Sequence, residues 1–116
     1  MTDLEALVFE ANFDPWESVS SIMEHSGERA ERLRAHICDT KLMYWQLICN
    51  TLNLEPPPTT LFELMDFECR MTALLNLEQC DNTLEYSGRN LSVAALIRLS
   101  ARHSVWHAGQ IALTKF

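Results

Sequence analysis

The chain has 116 residues, enough for one domain (1–116) around one hydrophobic core, and 47% of them are apolar, an ordinary globular share. Sixteen acids against nine bases give a net charge of −7, the wrong sign for a nucleic-acid ligand or an anionic membrane surface. No apolar run reaches the length of a bilayer span, and "MTDLEALVFEANFD" lacks the basic start and apolar stretch of a signal peptide, so a cytoplasmic location is expected.

Helix signals dominate in chain order. Leu4, Leu7, Val8 and Ala11 follow an i, i+3, i+4, i+7 spacing and predict a short amphipathic helix over 3–12. In "DPWE", Asp14 suits an N-cap, Pro15 the first helical position and Glu17 a capping-box acid, which predicts a second helix from there. Its apolar stripe is Val19, Met23, Ala30, Leu33 and Ile37. Unbroken to Asn53 it would be about 60 Å long, too long for this domain, so a break is expected near "CDTK" with Asp39 or Thr40 recapping. "LEPPPTT" is a linker, and Thr60 with Glu63 opens a central helix, "LFELMDFECRMTALLNLEQ". "CDNTLEYSGRN" reads as a loop, and Ser92 or Asn90 caps the last helix, "SVAALIRLSARHSVWHAGQIALT". No sustained period-2 run predicts a strand. The expected class is all-α, a four-helix bundle with a shortened N-terminal helix.

The four cysteines, Cys38, Cys49, Cys69 and Cys80, form no C-x-x-C pair and read as reduced, small core residues. A zinc site mixing Cys69 or Cys80 with histidines is the alternative.

At 100° per residue, Val93, Leu96, Ser100, His103, His107 and Ile111 share one face of the last helix. Two imidazoles four apart on that inward stripe can reach a single ion. Such a site needs a third protein ligand and an open position. The other histidines, His25 and His36, are eleven residues apart in the expected second helix, at heights separated by about 16 Å, so only one can join the pair. Periodicity does not choose between them.

"WESVSSIMEH" resembles the stretch that carries the first metal histidine in the DinB-like (YfiT-like) helical bundle superfamily, with Trp16, Ser18, Val19, Ile22, Met23 and His25 in the pattern's places and one extra residue after Trp16. "SGRNLSVAALIRLSARHSVWHAGQI" resembles the family's last segment, with Gly88, Ser92, Val93, His103, His107, Gly109, Gln110 and Ile111 in place. The resemblance covers roughly residues 16 to 113. It implies a DinB-like bundle holding a divalent metal, nickel or zinc, on His25, His103 and His107. His36, in "LRAHICD", is the reserve ligand, because no Ser-Val helix start lies at the matching distance before it. The family's first helix is normally long; here residues 3 to 12 supply it, and a second copy is expected to cover the resulting groove, making a homodimer.

A metal on three neutral imidazoles lowers the pKa of a bound water and holds a small thiol as thiolate. The resemblance therefore implies transfer of a low-molecular-weight thiol onto an electrophile, or metal-assisted hydrolysis, of a small-molecule substrate. Arg70, Arg98 and Arg102 are the available anchors for an acidic thiol, with exposed-face salt bridging as their ordinary role. Glu28, Glu68 and Gln110 are candidates to orient ligand histidines. Trp106 lies off the inward stripe. The rival reading is a non-catalytic, metal-binding or structural helical dimer associated with stress, since no phosphate-cradling loop or evident nucleophile is present. Di-iron chemistry is not indicated, for want of Glu-x-x-His motifs.

Overall fold

A computed structural model describes residues 2–114, and the chain is mostly helical. Among these residues are α1 (Asp3–Phe13), a short 3-10 turn (Ser20–Ile22), α2 (Glu28–Leu52), α3 (Leu61–Leu74), α4 (Leu77–Asp81), a hairpin of β1 (Thr83–Tyr86) and β2 (Arg89–Ser92), and α5 (Val93–Ala112). The pairs α1–α5, α5–α2, α2–α3 and α3–α1 all pack against each other, so the four longer helices enclose one core. Among the described residues, no helix is long and apolar enough to cross a membrane.

Local caps set most helix starts. Thr2 accepts from the Glu5 amide, Thr60 from the Glu63 amide and Ser92 from the Ala95 amide. Each satisfies one orphan N–H and is worth about 1 kcal/mol. Of the two candidates for the last helix, Ser92 is the cap.

The region after α1 differs from expectation. Asp14 Oδ2 accepts from the amides of Trp16 and Glu17 at 2.8 Å, yet no α-helix follows. Ser18 donates to the Asp14 carbonyl, Ser21 donates to the Ser18 carbonyl, and Ser18's own amide donates to Ser21 Oγ. These serines offer the backbone local partners that compete with helix. Gly27, at φ 108°, then turns the chain where a side chain would be strained, and α2 begins at Glu28. Arg34 ties this loop down by donating to the carbonyls of Ile22 and His25.

The expected break near "CDTK" is absent: α2 runs unbroken for 25 residues, about 38 Å at 1.5 Å per residue. Thr40 donates back to the His36 carbonyl instead of capping a new segment. Lys41 points inward and is buried. The helix expected to run through Gln79 instead ends at Leu74, because Asn76 and Gln79 form a full capping box that opens α4. The expected loop is a hairpin, with Tyr86 paired to Arg89 around Ser87 and Gly88, both at positive φ. That is the two-residue turn whose twist suits antiparallel strands.

Inside, two apolar clusters flank a polar layer. One gathers Leu4, Val8, Trp45, Ile48, Val93 and Leu96; the other gathers Val19, Ile22, Ile37, Met65, Ala108 and Ile111. Between them Glu68 of α3 accepts hydrogen bonds from Asn12 of α1 (2.9 Å), Lys41 (2.5 Å) and Trp45 (2.8 Å) of α2, and Ser100 of α5 (3.4 Å). All five side chains are buried. One carboxylate thus ties together all four longer helices.

Candidate metal centre

His103 and His107 stand one turn apart on α5, on the side facing α2. The face predicted for α5 is correct in direction: Val93, Leu96, Ser100 and Ile111 are buried. The two histidines sit at its margin and are half-buried. From α2, His36 completes a cluster in which one nitrogen from each ring lies within 4.8 Å of the others. The ring centroids are 4.3 Å apart for His103 and His107, 4.6 Å for His36 and His107, and 5.2 Å for His36 and His103.

The third histidine of this cluster is therefore His36, and His25 is outside it. The reason is the loop. His25 precedes α2, in the turn closed by Gly27, so the helical relation assumed between His25 and His36 does not exist. His36 lies inside α2, on the exposed rim of the α2–α5 seam. The cluster also contains none of the four cysteines. Burial pushes all four thiols up, so they are protonated and poorly nucleophilic near neutral pH.

Two contacts hold His107. Its Nδ1 lies 2.6 Å from Gln110 Oε1, so Nδ1–H donates there and the lone pair is left on Nε2. Trp106 stacks beside the ring, with centroids 5.8 Å apart and planes 12° apart. His107 Nε2 and His103 Nε2 are 3.0 Å apart, so a single proton, on His103 Nε2, bridges two nitrogen lone-pair positions. Burial, then the neighbouring His107, His36 and Lys41, lower the pKa of His103 to about 4, so this ring is neutral near pH 7. Tyr44 stands edge-on to His103 at 6.5 Å, and its hydroxyl is 3.4 Å from that of Tyr86 on β1, bringing the hairpin to the end of the seam.

The other candidates fall elsewhere. Gln110 orients a cluster histidine, as its spacing allowed. Glu68 neither faces solvent nor meets an imidazole, because the Lys41 ammonium and three further donors occupy its carboxylate. Glu28 is exposed at the start of α2 and lines an open cleft of about 550 Å³ with Arg29, Gln110 and Leu113. Arg70 pairs with Asp66 on the surface, and Arg98 and Arg102 are exposed. Lys41 and Asn12, which sequence reasoning missed, fall on the buried stripes Ile37–Lys41–Trp45 and Leu4–Val8–Asn12 of their helices, and their polar groups are satisfied there by Glu68 on α3.

Comparison of the chain with protein-family models, with curated proteins and with solved structures finds no match.

Proposed function

We propose that this chain is a DinB-like metal-binding protein in which His36, His103 and His107 hold one divalent ion, nickel or zinc. The observation that carries the reading is the convergence of three imidazoles from two helices. Two ligand nitrogens about 2.0–2.1 Å from one ion stand about 3.0–3.4 Å apart, and the 3.0 Å between His103 and His107 falls in that range. The donor set also suits the ion: His103 is neutral, and His107 already presents a lone pair because Gln110 holds its other nitrogen. On binding, His103 shifts its proton from Nε2 to Nδ1, freeing the second lone pair. His36 closes the set from the exposed rim, leaving the solvent side open.

A bound ion would supply a water or small thiol in deprotonated, nucleophilic form. The activity proposed is thiol S-transfer to a small electrophile, or hydrolysis. Trp106 offers an exposed aromatic wall beside the cluster for an apolar part of the substrate. The second reading is a non-catalytic metal-binding protein, favoured by one observation: Glu68, a candidate from the sequence to orient a ligand histidine, is fully engaged in the core and leaves no carboxylate at the cluster from that helix.

The deciding measurement is metal content by mass spectrometry on untagged protein purified without chelators. About one divalent ion per chain is expected, lost in His36→Ala and His107→Ala and kept in His25→Ala. Absence of metal, with no uptake of added nickel or zinc, overturns the reading. Turnover of a thiol or a model ester that disappears on chelation separates the enzyme from the non-catalytic protein.

A further inference from the structure

A separate cavity lies on the other side of α5 from the histidines. It measures about 440 Å³ and is framed by the start of α1, the end of α3, α4 and the first turns of α5, with no residue of α2 in its wall. Ala94 lines it. That residue stands nine positions, or two and a half turns, before His103, so it points to the opposite side of the helix at a height roughly 13 Å away. The Asn76–Gln79 capping box opens α4 directly after α3, which brings Leu75 and Leu77 to the wall shared with Leu4. Cavities of this size, apolar with a few polar groups, suit small molecules.

Three charged side chains stand at the rim, Asp3, Asp81 and Arg98, all exposed. Among the described residues the ion pairs are Lys41–Glu68 and Arg70–Asp66, so none of these three has a partner of opposite charge. The half-buried Cys80 thiol reports their nearness: burial raises its pKa most, then Asp81 raises it and Arg98 lowers it. An acid and a base thus flank one sulfur without pairing to each other.

We propose that this cavity binds a small zwitterion with an apolar side chain, of the class of a free aromatic or aliphatic α-amino acid. Its carboxylate meets Arg98, its ammonium meets Asp81, and its side chain rests on Leu4, Leu75 and Ala94. The charges select this class. A simple amine sits beside the Arg98 guanidinium with nothing to offer it, and a simple acid faces the two carboxylates; a zwitterion answers both signs at once. Exposed ion pairs contribute little each, so burial of the side chain supplies the affinity and the rim supplies the selectivity. The site does not depend on the metal reading.

Amide NMR of the full chain titrated with L-phenylalanine tests it. L-phenylalaninamide, which keeps only the ammonium, and 3-phenylpropionate, which keeps only the carboxylate, are titrated beside it. Saturable shifts are expected at Leu75, Leu77 and Ala94, with each single-charge analogue binding about threefold or more weaker. Arg98→Gln and Asp81→Asn, both at exposed positions, are each expected to weaken phenylalanine by a similar factor with an unchanged far-UV spectrum. Phenylalanine should also slow alkylation of Cys80 and leave that of Cys38, on α2, unchanged, read by peptide mass spectrometry. The proposal is overturned by no saturable shift at millimolar phenylalanine, by shifts centred on His103 and His107, by analogues that bind as well as phenylalanine, or by undiminished binding in either variant.

Discussion

At His103, a low pKa has a consequence for stability as well as for ligation. The unfolded chain holds this proton below the ordinary imidazole value of 6.5, whereas the folded chain resists it down to about 4. Stability is therefore undiminished by this group above pH 6.5 and falls as pH drops through that window, by about 1–2 kcal/mol once partial exposure is discounted. Urea unfolding at pH 7 and pH 4.5 should show that loss, and His103→Gln should be less pH-sensitive by that amount. An equal pH dependence in the variant would mean that the ring titrates normally. Gln110 acts on the neighbouring ring: Gln110→Ala removes the acceptor for His107 Nδ1–H and should weaken nickel or zinc binding by roughly 10–100-fold, read by calorimetry. His103, His107 and Gln110 were all legible in the sequence because helical spacing alone relates them. The choice of His36 over His25 was not, because it depends on Gly27 ending the helical geometry two residues after His25.

Among the elements, α2 shows why local signals mislead. "CDTK" looks like a place to stop a helix: Asp and Thr favour caps, and Lys favours water. The helix continues because Lys41 finds Glu68, 27 residues away and on another element. No window of sequence contains that pairing. By contrast the caps at Thr60 and Ser92 are satisfied within three residues, and they were readable. The hairpin lies between these cases. Its Ser87-Gly88 pair was read only as part of a loop, because two four-residue strands are too short for a convincing alternation. The α2–α3 pairing predicts an asymmetric mutational response. Glu68→Gln strands the buried Lys41 ammonium without its counter-charge and should cost about 3–5 kcal/mol. Replacing both partners, as Lys41→Met with Glu68→Leu, should recover much of that loss, because it removes the unpaired charge along with the pair. Chemical denaturation of the two variants measures this, and a double variant no more stable than Glu68→Gln would show that Asn12, Trp45 and Ser100 need the carboxylate more than Lys41 does.

For the whole molecule, the histidine cluster and the Glu68 layer brace the same seam at different depths. Glu68 joins α1, α2 and α5 from inside, while His36 and the α5 pair bridge α2 to α5 at the surface. The inner layer engages both oxygens of the Glu68 carboxylate without any ligand, and leaves Asn12 Oδ1 buried with no hydrogen-bond partner. The outer one brings nitrogen lone pairs together around a shared proton, and an ion placed there would cross-link α2 to α5. Binding to the folded chain alone stabilises it by about 2.7 kcal/mol at a free metal concentration one hundred times the dissociation constant. For a domain of this size that corresponds to a rise in Tm of about 10–20 °C. Nickel or zinc should thus raise Tm in the wild type and in His25→Ala, a chelator should reverse the rise, and His36→Ala should abolish it. His36 is the informative position because it is the only one of the three on α2: its loss removes the bridge between helices while leaving the His103–His107 pair on one helix intact. A full increment in His36→Ala would mean that the α5 pair binds metal without α2, and that the seam is held by its core alone.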